Sequence, residues 1–368
     1  MVTDFAPKLA KVLTEYCVPI EPGQLVLISA GVVTEPLIEA LYEAILKRGG
    51  HPHVEVGLPN LSELYFRHAN EDQLTYLNPI GMAAINACDV FLNIRASSNT
   101  KQLTNVDPKR MALRQQAGAP FMKRFKERET AGELRWNICG WPSVANAQEA
   151  EMGYLEYVEF VYKACGLDQP DPVAYWQAFR DHQAHLVDWL ADKKHLEARA
   201  PGLAMTLEFE GRPWVSCHGD RNFPDGEIYV CPIEDSVNGH VAFNFPSVYG
   251  GREVNGVQLT FKDGVVVEAS AAKAQDYLFA QLEADDGAKR LGEFAIGTNM
   301  GIQRFTREIL FDEKIGGTIH MALGRGFPLA GGKNESVVHW DMVHNMMEGG
   351  EIYIDGQLFY KEGQFMVE

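Results

Sequence analysis

The stretch PGQLVLISAGVVTEPLIEALYEAILKRGGHPHVEV, residues 22–56, decides the fold of the first half of the chain. After the Pro22-Gly23 turn, Leu25 to Ser29 is a continuous apolar run, the pattern of a strand buried on both faces of a parallel sheet. A helix follows by its own signals. Thr34 is placed to cap it, Pro36 is tolerated in its first turn, and Leu37, Leu41 and Ile45 recur at helical spacing along one face. Gly49-Gly50 ends it, and His51 to Val56 reads as the next strand.

Outward from this unit, Val90 to Ile94 and Leu134 to Cys139 are further strands alternating with helical stretches, so the first half is an α/β layer with a mainly parallel sheet. The segment after the first strand, Ala30-Gly31-Val32-Val33, has neither GxGxxG nor GxxxxGK[ST], and no nucleotide site is expected. Residues 145–195 are helical, with a break at Gly166 to Pro172. Beyond Ala198 to Gly202 the texture changes to short alternating strands, with turn signals at Asn255-Gly256 and Lys262-Asp263-Gly264. The expected organisation is an α/β domain over 1–198 with a helical bridge at its end. A mixed α+β metal-binding domain follows over 199–368. A chain of 368 residues is long enough for two cores.

Composition narrows the function classes. Fifty Asp and Glu against 33 Lys and Arg give a formal charge of −17 with no basic stripe, which argues against nucleic acid and anionic membrane as partners. The six cysteines are widely spaced without a CxxC pair, and reduced thiols are the default. No run approaches the roughly 20 apolar residues that span a bilayer, and the first residues lack a secretory pattern. A cytoplasmic setting is the expectation, and the Asn334-Glu335-Ser336 sequon then carries no glycan.

Residues able to do chemistry gather in the second half: Glu227 in NFPDGEIYVCP, Glu293 in LGEFAIGTN, His320 in GTIHMALG, and His339 with Asp341 in HWD. Taken singly, each signal is weak, since carboxylates after glycine are common on surfaces. His339 and Asp341 are two apart and share a face of a strand, while Trp340 points the other way. That pair fits two metal ligands, and it equally fits an Asp orienting a buried His. Imidazole and carboxylate ligands suit zinc, manganese, cobalt or iron, and three carboxylates with two imidazoles suffice for two ions if one carboxylate bridges. Two cations about 3.5–4 Å apart activate a water, neutralise an oxyanion and bind a free α-amine, which is exopeptidase chemistry.

The runs GEIYVCP, GEFAIGTN, FDEKIGGTIHMALG, GGKNESVVHWD and Asp355-Gly356, in this order over about residues 220–368, resemble the aminopeptidase T family of metallo-aminopeptidases. The resemblance implies that Glu227, Glu293, His320, His339 and Asp341 bind two divalent metals and that Glu293 also handles the proton of the attacking water. It further implies short peptides as substrates and a homodimer enclosing the sites. One departure stands out: the family's catalytic Tyr, seven residues after the GTxHxALG histidine, is Phe327 here. Phe offers no donor to an oxyanion, and Arg325, two residues earlier, is the candidate replacement. A second reading is a ring-cleaving dioxygenase of dihydroxypyridines, which shares this fold and holds Fe(II) by two His and one Asp, here His320, His339 and Asp341. A third is a metal-binding homologue without catalysis. His51 with His53, His182 with His185, and Ser216-Cys217-His218 are set aside, the first two as surface pairs and the last because adjacent strand residues face opposite ways.

Overall fold

The computed structural model describes residues 4–367, and its packing divides the chain into two compact units. The first comprises residues up to Trp176 together with Gly219–Pro224, and the second comprises Gln177–His218 and everything from Asp225 on.

In the first unit, strands His51–Gly57, Leu25–Gly31, Val90–Arg95, Arg135–Gly140 and Asn222–Phe223 lie side by side in that order, all parallel. The last of these comes from a short excursion of the chain out of the second unit, where Asn222 and Phe223 pair with Ile138 and Cys139. The helix Glu35–Lys47 forms with Leu37, Leu41 and Ile45 fully buried. Thr34 precedes it, but its hydroxyl donates to the Gly31 carbonyl at 2.8 Å instead of accepting from the helix, so the expected side-chain cap is not made. A short 3-10 turn over Val32–Thr34 places the hydroxyl back toward the strand. Gly49 adopts φ +80°, which stops the helix without a Cβ clash.

The second unit is antiparallel. An eight-stranded sheet is built from strands between His195 and Ser270 and from the C-terminal strands Glu351–Ile354, Gln357–Lys361 and Gln364–Phe365. The turn at Asp263-Gly264, with φ +49° and +77°, closes a hairpin between Gln258–Lys262 and Val265–Ser270. Asn255-Gly256 turns the chain between strands that do not pair with each other.

A five-stranded sheet carries the candidate ligands. Its order is His339–Asn345, Thr318–Gly324, Leu291–Gly297, Glu227–Val230 and Val215–Cys217. One face of this sheet presents Ile228, Val230, Phe294, Ile296, Ile319, Met321, Leu323, Trp340 and Met342. These join Leu196, Met205, Val241, Leu259 and Ile352 of the larger sheet in one hydrophobic core. Strand alternation then turns the intervening residues, among them every candidate ligand, to the opposite face. No helix of the described residues is long and apolar enough to cross a membrane.

Candidate metal centre

The strand Leu291–Gly297 would present Glu293 to the core if it alternated regularly from Leu291, which is itself a core residue. A β-bulge prevents this. Leu291 pairs with Leu323 and Glu293 with Ala322, so Gly292 is the extra residue and the phase of the strand flips after it. Phe294 then enters the core and Glu293 the other face. The residue at 292 has to be glycine, because a Cβ there would lie 2.3 Å from the Gly324 carbonyl oxygen and 2.4 Å from that of Arg325.

From that phase the register assembles the site. Glu293, Ala322 and Asp341 form one cross-strand row, and Tyr229, Ala295 and His320 form the next. Glu227 lies opposite Gly297, and His339 opposite Gly324. The small residues at 295, 297, 322 and 324 leave room above the sheet for the larger polar side chains between them. At Gly324 the φ of +93° adds a second reason for glycine.

The five candidate side chains converge as two groups that share Glu293. Glu227, Glu293 and His320 each offer an atom within 4.8 Å of the others, and so do Glu293, His339 and Asp341. His320 Nε2 is 3.3 Å from Glu293 Oε1 and 3.4 Å from Glu227 Oε2. His339 Nε2 is 3.7 Å from Glu293 Oε2 and 3.6 Å from Asp341 Oδ1. Glu293 thus turns one oxygen to each histidine. His339 Nδ1 donates to the Arg325 carbonyl at 2.8 Å, which fixes the ring and leaves Nε2 to face the carboxylates.

A divalent cation fits this donor set. Glu227 Oε2, Glu293 Oε2 and His320 Nδ1 are buried with no hydrogen-bond partner, and uncompensated carboxylate oxygens in such a setting are costly. The same surroundings shift the proton affinities of these groups. Burial pushes the Glu293 pKa up, only partly opposed by its bond to His320. Burial pulls His320 down, but the Glu293 bond and the charges of Glu227 and Asp341 outweigh it and lift its pKa to about 9. His339 is raised for the same reason, with Asp341 the leading carboxylate against its burial. Imidazole and carboxylate ligands bind metal deprotonated, so ion binding and proton release are coupled here.

Several residues of the site carried no sequence signal. Lys314 is 1% exposed, with Nζ 2.6 Å from Glu227 Oε1, 2.7 Å from Glu313 Oε1 and 3.6 Å from Asp225 Oδ1. It holds one oxygen of Glu227 and leaves the other to the centre. Burial opposes its charge, yet Glu227, Glu313 and Asp225 prevail and raise its pKa well above the usual ammonium range. Gln183, fully buried, donates to the Glu227 carbonyl at 3.2 Å and to Thr298 Oγ1 at 2.8 Å. It also accepts from Ser216 Oγ at 2.7 Å, which gives that serine a positioning task.

Phe327 stands beside the centre, its ring 4.7 Å from that of His339 and 5.9 Å from that of Tyr229. The Arg325 side chain is exposed, and its guanidinium lies 6.0 Å from the Phe327 ring. Tyr229, Cys231, Ala295 and Ala330 pack with Phe327 in a small cluster on the ligand face. Burial first, then Cys217, Glu293 and Glu227, push the Tyr229 phenol well above its usual pKa range. His51 and His53, and likewise His182 and His185, are exposed side chains and belong to neither ligand group.

Comparison with known proteins agrees with the motifs. The chain is 30% identical to aminopeptidase 2 of Geobacillus stearothermophilus, across 95% of this chain and 93% of that protein. Its fold matches that of wild-type AmpT from Thermus thermophilus with a TM-score of 0.86, at 24% identity and over the full length of both chains. A more distant likeness in fold, with a TM-score of 0.60 at 13% identity, is to the 2,5-dihydroxypyridine dioxygenase of Pseudomonas putida, over 99% of this chain and 97% of that one. The profile of the thermophilic metalloprotease family, M29, matches residues 4–365. The chain therefore belongs to the M29 family of thermophilic metalloproteases, the family of metallo-aminopeptidases that its C-terminal motifs resemble.

Proposed function

We propose that this protein removes N-terminal residues from short peptides, using a water activated between two divalent ions held by Glu227, Glu293, His320, His339 and Asp341. The observation that carries this reading is the pair of ligand groups joined through Glu293, whose two oxygens face different histidines. Fold alone does not choose, because similar folds occur in proteins named as an aminopeptidase and as a dioxygenase. The dioxygenase triad needs only His320, His339 and Asp341, and it makes no use of Glu227 and Glu293 as ligands.

When bound, zinc, cobalt or manganese supplies Lewis acidity and a water of lowered pKa. The chain's own residues do the rest. Lys314 orients Glu227, the Arg325 carbonyl orients His339, and Glu293 accepts the proton of the attacking water and returns it to the leaving amine. Arg325 stands at the rim as a contact for substrate. The reading includes a homodimer, drawn from the family resemblance, and the cytoplasmic setting expected from the sequence. The six cysteines are unpaired, in keeping with a reducing compartment.

The test is release of amino acids from a panel of short peptides by protein reconstituted with zinc, cobalt or manganese. Release that stops in Glu293→Gln supports the proposal. Oxygen uptake with Fe(II) and a dihydroxypyridine, without peptide cleavage, replaces it with the dioxygenase. Metal binding with neither activity identifies a non-catalytic homologue. Light scattering of the purified protein tests the dimer.

A further inference from the structure

Peptide hydrolysis passes through a tetrahedral intermediate whose oxyanion is stabilised further by a hydrogen-bond donor, and the ring beside His339 belongs to Phe327, which has none. A phenol is nonetheless present. Tyr229 lies two residues beyond Glu227 and on the same face of the sheet, in a row with Ala295 and His320. Alanine at 295 leaves open the space between the tyrosine and the histidine. The Tyr229 ring meets the Phe327 ring at 5.9 Å and 70°, so the two aromatic side chains border one space over the ligands.

Tyr229 is 8% exposed, and its hydroxyl forms no hydrogen bond with any of the described residues. That hydroxyl is not among the buried polar atoms that lack a partner, so it is open to a group arriving from solvent. A donor without a partner among the described residues, on the same face of the sheet as the candidate ligands, is set for a group that arrives with the substrate.

We infer that Tyr229 is a catalytic residue, donating a hydrogen bond from its neutral phenol to the oxyanion formed at the scissile carbonyl. The phenol enters the site from the Glu227 strand, and Phe327 supplies only the apolar wall against which it packs. The inference rests on the peptidase reading given above. It assigns to Tyr229 the task for which the sequence offered Arg325, whose side chain is exposed and whose ordered contact with the centre is its backbone carbonyl.

The experiment compares the parent, Y229F, F327Y and the double variant Y229F/F327Y, all loaded with the same metal. It measures kcat and KM on a short peptide, the thermal midpoint, and by calorimetry the affinity for an α-aminophosphonate, a tetrahedral mimic, and for the free amino acid product. In Y229F, kcat is expected to fall about 10²–10³-fold with KM within about twofold. Phosphonate affinity falls while product affinity and the thermal midpoint hold. Placing a phenol across the same space, Y229F/F327Y regains about tenfold or more of the lost rate. Parent-like kcat and phosphonate affinity in Y229F, with the parent cleaving peptides, overturns the inference and leaves the peptidase reading standing. Activity lost together with the thermal midpoint overturns it too, because the hydroxyl is then structural. A parent that cleaves no peptide removes the reading itself, and the inference with it.

Discussion

Replacing Lys314 with Met isolates the electrostatic balance beneath the centre. The ammonium is 1% exposed and lies within 2.6–3.6 Å of oxygens from Glu227, Glu313 and Asp225. Met has nearly the same length and volume, so little cavity is created and the perturbation is chiefly one of charge. Removing one partner of a buried ion pair costs about 3–5 kcal/mol, because the remaining charge stays buried without compensation. For a domain of 150–250 residues each kcal/mol moves the thermal midpoint by about 2–4 °C, so the metal-free variant should melt about 6–20 °C below the parent. Calorimetry of chelator-treated protein measures this directly. A bound cation restores positive charge beside Glu227, so the deficit should shrink in the metal-loaded variant. A metal-free variant that melts with its parent would show that the three carboxylates are not held by Lys314 and would refute the account of how Glu227 is oriented.

Other outcomes follow from the same structure. Glu293→Gln should lower kcat by about 10²–10⁴ with a parent-like far-ultraviolet spectrum, since it removes the carboxylate proposed to accept the water's proton. Phe294→Ala empties a fully buried position directly behind Glu293 and should cost about 3–5 kcal/mol in urea unfolding, with activity lost as the unit unfolds. Asp312 gives a pH signature. Burial, opposed only in part by hydrogen bonds from Thr306, lifts its pKa to about 8. The folded protein therefore keeps a proton that the unfolded chain loses near pH 4. The associated stability is present below about pH 4 and declines at up to about 1.4 kcal/mol per pH unit as pH rises toward 8. Urea midpoints from pH 5 to 8 should fall more steeply in the parent than in Asp312→Asn, and equal slopes would show that Asp312 is not the titrating group.

The sequence carries the first sheet clearly because local signals agree there. The apolar run from Leu25, the helical spacing of Leu37, Leu41 and Ile45, and the glycines at 49 and 50 all specify one strand–helix–strand unit, and the structure forms it. The Asn222–Phe223 strand was not legible, because two residues carry no periodicity and their partners lie more than 80 residues earlier. Thr34 also departs from its expected cap, since a hydroxyl offered both a strand carbonyl and a helix amide settles on whichever the local turn presents.

In the second unit, simple alternation put His339 and Asp341 on one face with Trp340 behind, and Trp340 does enter the core. Glu293 is subtler, for the bulge at Gly292 that turns it toward His320 depends on the neighbouring strand and leaves only a glycine as its trace. Lys314 was missed because a lysine in FDEKIGG reads by default as a surface charge. Its three carboxylate partners include two from near residue 225, which only the tertiary fold brings close. Tyr229 was missed for a related reason. It follows Glu227 in a strand whose other apolar members, Ile228 and Val230, belong to the core, and nothing local marks it as facing the ligands.

The most direct test of the whole account is metal stoichiometry by elemental analysis, on protein purified without added metal and again after reconstitution, with His339→Ala and Glu293→Ala as controls. The account predicts two divalent ions per chain, with one or both lost in His339→Ala and both weakened in Glu293→Ala. A single iron per chain, or no bound metal in the reconstituted parent, would contradict it.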